Sequence, residues 1–313
     1  MLLLLAACDV ERAPGPPDAP EVVFEVPKGA TARGLAPTLA REGLVQSEQS
    51  WTWFLRLGAD GSCLKAGKHQ VSPAMAAPEL LAALCGVPVA DDVPFTGLEG
   101  WRIRDTDAAL AEKGLIEAGD YIEAARPGAY TAAVTLPGDS LEGYLFPETY
   151  MVPPTGFVAA DFVQRQLDTF AERFGKDYAG PRPLSEVVVV ASMLEREEPS
   201  PANRPLVAGI MYKRLATGWN LGIDATSRYT LADWNDRQAF LVKLRDPGDP
   251  YNTRLRQGLP PTAIGSPGLA SLQAATAPVD SEFWYYLHDN SGQLHPSRTV
   301  AEHERYRKKY NVY

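Results

Sequence analysis

The sequence predicts an α+β protein, with two small αβ modules followed by a larger mixed α+β domain. A pattern of one extended stretch and two short helices occurs twice within the first 132 residues. Beyond residue 133, helical apolar spacing alternates with stretches rich in glycine, proline and aromatic residues. We therefore divide the chain into a tether at 1–20, a first module at 21–90, a second module at 91–132 and a main domain at 133–313.

The bulk composition limits the classes of protein that the chain can represent. Hydrophobic residues make up 45% of the 313 residues and charged residues 22%, which is enough apolar material for a packed core. The formal net charge is −9. Because nucleic-acid-binding proteins normally present a basic surface, that class is disfavoured. The four histidines and three cysteines show no metal-ligand spacing, so we expect neither a metal site nor a cofactor.

The first ten residues, MLLLLAACDV, resemble the end of a bacterial lipoprotein signal. The apolar run is too short to span a bilayer, but LAAC resembles a lipobox, in which cleavage leaves a lipid-modified cysteine. We therefore expect lipidation at Cys8, followed by a Pro-rich tether. The alternative is a Leu/Ala-rich start without this role. In an exported chain, the two remaining cysteines, Cys63 and Cys85, are free to form a disulfide.

The two front modules share a repeat. GATARGLAPTLAREGLVQ begins at Gly29 and GWRIRDTDAALAEKGLIE begins at Gly100. Each copy follows an extended stretch, shows apolar residues at helical spacing and stops at a glycine, as helices often do. We expect a further strand near 64–72. Modules of this kind resemble LysM, a glycan-binding fold, although a repeat with no ligand is the alternative. The aligned pairs are Gly29 and Gly100, Leu39 and Leu110, Ala40 and Ala111, Gly43 and Gly114, and Leu44 and Leu115.

An apolar helix predicted within SEVVVVASMLEREEPS (185–200) ends in three glutamates. With 3.6 residues per turn, Glu195 lies at the edge of the apolar face and Glu197 on a flank. Glu198 points near that face at the end of the helix. Desolvation raises the pKa of a carboxyl group, and a raised pKa suits a general acid near neutral pH. Periodicity therefore favours Glu195 as a catalytic acid, although acidic residues at helix ends are often only structural.

Five ordered motifs resemble signatures of the endolytic murein transglycosylase family, whose members are also called YceG-like. The resemblance extends from about Val22 to the C-terminus, and LysM-like modules precede the catalytic domain in that family. The motifs are LEGYLFPETY (141–150), ASMLEREE (191–198), RPLVAGIMYKRL (204–215), LGIDATSRYTL (221–231) and DPYNTRLRQGLPPTAIGSPGLASLQAA (249–275).

The resemblance implies cleavage of the β-1,4 bond between N-acetylmuramic acid and N-acetylglucosamine within peptidoglycan strands. The product is a 1,6-anhydromuramoyl end, because an internal hydroxyl replaces water. Carried onto LEREE, the resemblance makes Glu195 the sole general acid and base. This carboxyl group would protonate the leaving glycosidic oxygen and then take the proton of the C6 hydroxyl as that oxygen closes onto C1.

The same motifs predict residues that hold the glycan. Asp224 would bond a sugar or orient an amide, with an Asx-turn as the alternative. The stretch 251–253 offers a ring and polar groups, with a purely structural turn as the alternative. Glu148 is expected beside Glu195, and Arg204 is expected to pair with the acids around it. The predicted substrate-binding residues are Glu148, Asp224, Thr226, Tyr251, Asn252, Thr253 and Pro260.

The chain departs from the family pattern in places. The loop that begins at Asp224 reads DAT, with Ala225 in place of the proline in the usual Asp-Pro-Thr, and a lipobox replaces the transmembrane helix that is common in the family. Two other functions stay open: a water-using muramidase, with Asp224 as second carboxylate, and a non-catalytic peptidoglycan-binding scaffold. The resemblance implies peptidoglycan strands as substrate and cell-wall synthases as partners. We expect a lipid anchor on the periplasmic face of the inner membrane, and no nucleic acid.

Overall fold

The computed structural model describes residues 12–128 and 130–312, so the predicted lipidation site, Cys8, lies outside the described residues. The described residues form twelve α-helices and six short strands, which confirms the α+β class. The strands are β1 (Val22–Val26), β2 (Gly67–Val71), β3 (Val93–Thr96), β4 (Thr149–Val152), β5 (Tyr285–His288) and β6 (Leu294–Ser297). The helices are α1 (Ala36–Arg41), α2 (Glu48–Arg56), α3 (Ala77–Cys85), α4 (Ile103–Glu112), α5 (Asp120–Ala124), α6 (Ala159–Arg173), α7 (Leu184–Glu197), α8 (Arg204–Ala216), α9 (Asp224–Tyr229), α10 (Arg237–Lys243), α11 (Leu269–Thr276) and α12 (Val300–Tyr310).

The chain forms two compact units. Unit 1 contains the described residues up to Val93 together with Met151–Gly156, and unit 2 contains Pro94–Tyr150 together with the chain from Phe157 onward. The second copy of the repeat therefore belongs mainly to unit 2, which also holds the predicted catalytic region. In the part of the chain that the structure describes, no helix has the length and apolar character needed to cross a bilayer.

Unit 1 is built around one antiparallel strand pair. Strand β1 pairs with β2, which confirms the strand predicted near 64–72. Phe24 on β1 is buried, as is Trp51 on α2, whose indole N–H donates to the Ala32 carbonyl at 2.7 Å. A disulfide joins Cys63 to Cys85 and so links the segment before β2 to the end of α3. The pairing that the sequence only permitted is therefore formed.

The two repeat copies share an element order and a backbone conformation. Each runs strand, helix, helix, strand, as β1-α1-α2-β2 and β3-α4-α5-β4. Gly29 and Gly100 have φ of 81° and 79°, and Gly43 and Gly114 have φ of 69° and 70°. Glycine recurs at these positions because other residues are strained at positive φ. The closing strand of the second copy, β4, lies beyond the predicted module end at 132. The likeness to LysM stays a prediction.

Helix α7 lies at the centre of unit 2. It packs against α8 and α11, and its valine-rich sequence is buried on nearly every side. Ser192, the polar residue within this stretch, is satisfied because its hydroxyl accepts the Ile264 N–H at 3.0 Å. The buried stretch of the helix therefore leads directly to Glu195 and Glu197 in its last turn and to Glu198 just beyond it. Six of its apolar residues are fully buried: Val187, Val188, Val190, Ala191, Met193 and Leu194.

Candidate active site

The end of α7 places three glutamates in different environments. Glu195 and Glu197 lie in the last turn, about 200° apart around the helix, and Glu198 is the extended residue that follows it. Glu195 contacts the start of α8, and Glu197 faces strand β5. Glu198 is fully buried and bonds His288 through Oε2 at 2.9 Å. Three neighbouring carboxyl groups thus differ in partners and in access to solvent.

Glu195 forms a buried bidentate ion pair with Arg204. Its Oε1 accepts from Arg204 Nη2 at 2.8 Å and its Oε2 accepts from Nη1 at 3.2 Å, and both side chains are only 6% exposed. The Gly268 N–H donates to the same Oε2 at 3.0 Å. Because a guanidinium has donors only, both Glu195 oxygens act as acceptors here. The expected pairing of Arg204 is therefore confirmed. Together with Gly268, the pair connects the end of α7, the start of α8 and the start of α11, and we call these three residues the ion-pair clamp.

Glu197 lines an open cleft of about 530 Å³ in unit 2. It is partly buried, and the Tyr286 hydroxyl donates to its Oε1 at 3.2 Å. Burial raises the pKa of the Glu197 carboxyl, and the nearby charge of Asp224 raises it further, while the Tyr286 hydrogen bond opposes the rise. Glu197 is therefore accessible from the cleft and also has a raised pKa. The cleft is also lined by Arg214, Trp219, Asn220, Arg254, Tyr285 and His303.

Asp224 lies at the start of α9, in the wall of the same cleft. Its Oδ1 accepts from Arg254 Nε at 2.5 Å, and both side chains are nearly half exposed. The structure thus brings Asp224 into a cleft with Glu197, the residue that the sequence placed on a flank.

Three of the predicted substrate-binding residues stabilise the loops behind the cleft. The Thr226 and Thr253 hydroxyls lie 3.0 Å apart and are buried. Asn252 is fully buried, and its Nδ2 donates to the carbonyls of Lys243, Leu244 and Asp246. These internal contacts favour the structural alternative for Asn252 and Thr253, and they give Thr226 a structural role as well.

The other predicted substrate-binding residues lie elsewhere in unit 2. Tyr251 packs its ring 4.8 Å from Tyr229, and its hydroxyl lies 2.8 Å from that of Thr262. Pro260 is buried. Glu148 pairs with Arg173 of α6, at 2.6 Å from Oε1 to Nη2 and 3.1 Å from Oε2 to Nε.

The expected contact of Glu148 with Glu195 is not formed: Glu148 pairs with Arg173, and Glu195 pairs with Arg204 and accepts from Gly268. The sequence alone does not single out Glu197, Trp219 or Tyr286 as site residues. The position of Glu197 on the flank of α7 is the signal that points towards it. Within the described ranges, no group of three or more His, Cys, Asp or Glu side chains is arranged to hold a metal ion.

Comparison with known proteins identifies the family. A model of the YceG-like family matches residues 24–309. An endolytic murein transglycosylase of Bacillus subtilis (strain 168) is 24% identical over 308 residues, which cover 92% of this chain and 84% of that protein. An endolytic murein transglycosylase of Streptococcus pneumoniae serotype 2 (strain D39 / NCTC 7466) is 22% identical over 321 residues, covering 91% of this chain and 57% of that protein.

A solved structure has the same fold. The crystal structure of a YceG-like protein from Listeria monocytogenes superposes with a TM-score of 0.57 at 22% identity, covering 92% of this chain and all of that one. The family match extends over both units and includes the cleft and the ion-pair clamp. The chain therefore belongs to the YceG-like family.

Proposed function

We propose that the chain is an endolytic peptidoglycan transglycosylase. It cleaves the β-1,4 bond between N-acetylmuramic acid and N-acetylglucosamine within glycan strands and leaves 1,6-anhydromuramoyl ends. Family membership and the names of the relatives support this reaction class. The observation that carries the proposal is the partly buried Glu197 carboxyl in a cleft of about 530 Å³, a volume typical of small-molecule sites.

Glu197 fits the role of general acid better than Glu195, because it meets two requirements together. Burial raises the pKa of Glu197, which is the direction that favours a general acid. The acid must also reach the glycosidic oxygen, and Glu197 lines an open cleft. Both oxygens of Glu195 instead accept bonds from Arg204 in a pair that is 6% exposed on each side. Catalysis by Glu195 stays a prediction of the family resemblance, and it requires this ion pair to open.

In the proposed reaction, protonated Glu197 gives its proton to the glycosidic oxygen as the bond from that oxygen to C1 breaks. The resulting carboxylate accepts the proton of the C6 hydroxyl, and the C6 oxygen bonds to C1. Glu197 is thus reprotonated by the C6 hydroxyl proton, the first proton stays on the leaving sugar, and no water is consumed. The Tyr286 hydroxyl holds Oε1 of Glu197. The intramolecular hydroxyl reacts at a high effective molarity.

The water-using muramidase is the main alternative, because a second carboxylate, Asp224, shares the cleft with Glu197. In that mechanism one carboxyl group serves as acid and the other as base or nucleophile. The bond between Asp224 and Arg254 favours a positioning role for Asp224 instead. The products separate the two reactions, since hydrolysis leaves reducing ends and transglycosylation leaves anhydro ends.

We further propose that the module at 21–90 is LysM-like, which its strand-helix-helix-strand order supports. The lipobox-like LAAC sequence supports a lipid anchor at Cys8. An anchored enzyme of this reaction class would act on nascent glycan at the periplasmic face of the inner membrane, close to cell-wall synthases. Labelling with radioactive palmitate tests the anchor: incorporation that is lost in Cys8→Ser supports it, and equal incorporation contradicts it.

The reaction is tested by digesting purified sacculi and analysing the soluble products by mass spectrometry. We expect the wild-type protein to release muropeptides with 1,6-anhydromuramoyl ends and Glu197→Gln to release almost none. Circular dichroism should show that the variant is folded. Reducing ends from the wild type would support the muramidase, and no release would support a binding scaffold.

A further inference from the structure

Trp219 occupies a fixed position just past the end of α8. Gly218 adopts φ of 70° and its N–H donates to the Leu215 carbonyl at 3.2 Å, while the Trp219 N–H donates to the Arg214 carbonyl at 2.8 Å. These two bonds form the Schellman motif, which closes a helix with a left-handed glycine. The backbone of Trp219 is thereby rigidly attached to α8.

The Trp219 side chain is exposed although it has apolar neighbours. Its ring centroid lies 4.8 Å from that of Trp284 and 5.9 Å from that of Tyr285, yet the residue is 41% exposed. Trp219 and Tyr285 both line the cleft that contains Glu197. Trp219 and Tyr285 therefore form an aromatic wall of the cleft. The Trp219 ring packs against Trp284 and stays partly exposed to solvent.

Arg214 holds this aromatic wall in place. Its Nε and Nη2 donate to the Trp284 carbonyl at 3.0 and 2.6 Å, and its Nη1 donates to the Leu221 carbonyl at 2.5 Å. One guanidinium thus joins the segment leading into β5 to the loop that follows Trp219. The Trp219 ring packs against Trp284, whose backbone Arg214 fixes, so the Trp219 ring loses little conformational entropy when a ligand packs on it.

Polar groups that suit a sugar lie in the same cleft. The Asp224 carboxylate accepts hydrogen bonds, and the Arg254 guanidinium donates them, as hydroxyl and N-acetyl groups require. A hexopyranose ring has an apolar C–H face and a rim of hydroxyl groups. An exposed indole beside an exposed carboxylate and guanidinium matches both surfaces of such a ring.

We propose that Trp219 is a stacking platform for an N-acetylhexosamine ring of the glycan, in the cleft that contains Glu197. The inference rests on the proposed function, because it takes the substrate of that function as the ligand. Trp219 acts in binding and the proton transfer belongs to Glu197. Loss of the indole therefore weakens the binding of the sugar chain.

The test uses isothermal titration calorimetry with the tetramer of β-1,4-linked N-acetylglucosamine as probe. The parent is Glu197→Gln, which prevents cleavage during the titration. We expect Trp219→Ala to weaken the probe's Kd at least tenfold and Trp219→Phe, which keeps a ring, to weaken it about threefold or less. Leu241→Ala is the matched control, because Leu241 is also exposed, at 42%, and lies on α10 of unit 2 but does not line the cleft.

The outcomes separate this inference from the proposed function. Equal affinity of the parent and Trp219→Ala, or no measurable binding by the parent, overturns the platform even if the wild type releases anhydro ends. If the wild type releases no anhydro ends but probe binding depends on Trp219, the proposed transglycosylase activity is refuted and the stacking role of Trp219 is supported. Circular dichroism and the Trp219→Phe variant exclude unfolding as the cause of lost binding.

Discussion

Glu142 gives a prediction whose size follows from the structure. This carboxyl group is 3% exposed and accepts hydrogen bonds from the Ile103 N–H at 3.1 Å and from the Tyr229 hydroxyl at 3.0 Å. Burial raises its pKa from the ordinary 4.5 to about 7, against the opposing effect of these two bonds. The folded protein therefore holds the Glu142 proton more tightly than the unfolded chain does.

A raised pKa of this kind makes stability fall as the pH rises. The contribution of Glu142 is complete below its unfolded pKa of 4.5 and is lost by the time the pH passes the folded value of about 7. A shift of roughly 2.5 pKa units corresponds to about 3 kcal/mol, at about 1.4 kcal/mol per unit. In Glu142→Gln the amide does not titrate; its oxygen can accept the Ile103 N–H, and its NH2 group can donate to the Tyr229 hydroxyl oxygen.

Urea unfolding at pH 5 and pH 8 measures the difference. We expect the free energy of unfolding of the wild type to fall by about 2–3 kcal/mol more than that of Glu142→Gln over this interval. Changes shared by all other carboxyl groups cancel between the two proteins. Glu112→Gln, at an exposed position of α4, is the matched control and should follow the wild type. An equal pH dependence of wild type and Glu142→Gln would refute the reasoning.

Three further perturbations test the site and its support. Arg204→Ala leaves a buried carboxylate unpaired and should lower the free energy of unfolding by about 3–5 kcal/mol in urea titrations; a loss below about 1 kcal/mol would contradict the clamp. Replacing Cys63 and Cys85 by serine should lower the stability of unit 1 by about 3 kcal/mol, measured by thermal unfolding, and an unchanged melting temperature would contradict it. Asp224→Asn removes a charge that raises the pKa of Glu197, so the alkaline limb of the kcat/KM profile should move to lower pH. A limb that stays in place would count against Glu197 as the acid.

Local patterns were enough to predict much of the fold. The glycine spacing of the repeat identified two copies, and the matching positive φ values of Gly29 and Gly100 give its physical cause. The valine run predicted a buried helix that ends near three glutamates, and the helix extends over Leu184–Glu197. These features depend on residues close in sequence, and a helical wheel or a turn preference describes them well.

The choice among the glutamates depends on interaction partners from other helices and strands, which a helical wheel of α7 does not show. The edge position of Glu195 was consistent with partial burial, but its bidentate partner, Arg204, comes from the next helix. Glu197 was correctly placed on a flank, and it is desolvated because Tyr286 of strand β5 packs there from 89 residues further along the chain. A contact at that sequence distance leaves no periodic signal in α7.

The most direct test of the central claim compares two glutamates two residues apart on α7. The single-turnover rate of anhydro-end formation should be measured for Glu197→Gln and Glu195→Gln, each corrected for its folded fraction. Loss of a general acid costs about 10²- to 10⁴-fold, so we expect a loss of this size for Glu197→Gln. We expect a loss of less than about tenfold for Glu195→Gln. The reverse order would contradict the account and make Glu195 the acid, released from Arg204 during the reaction.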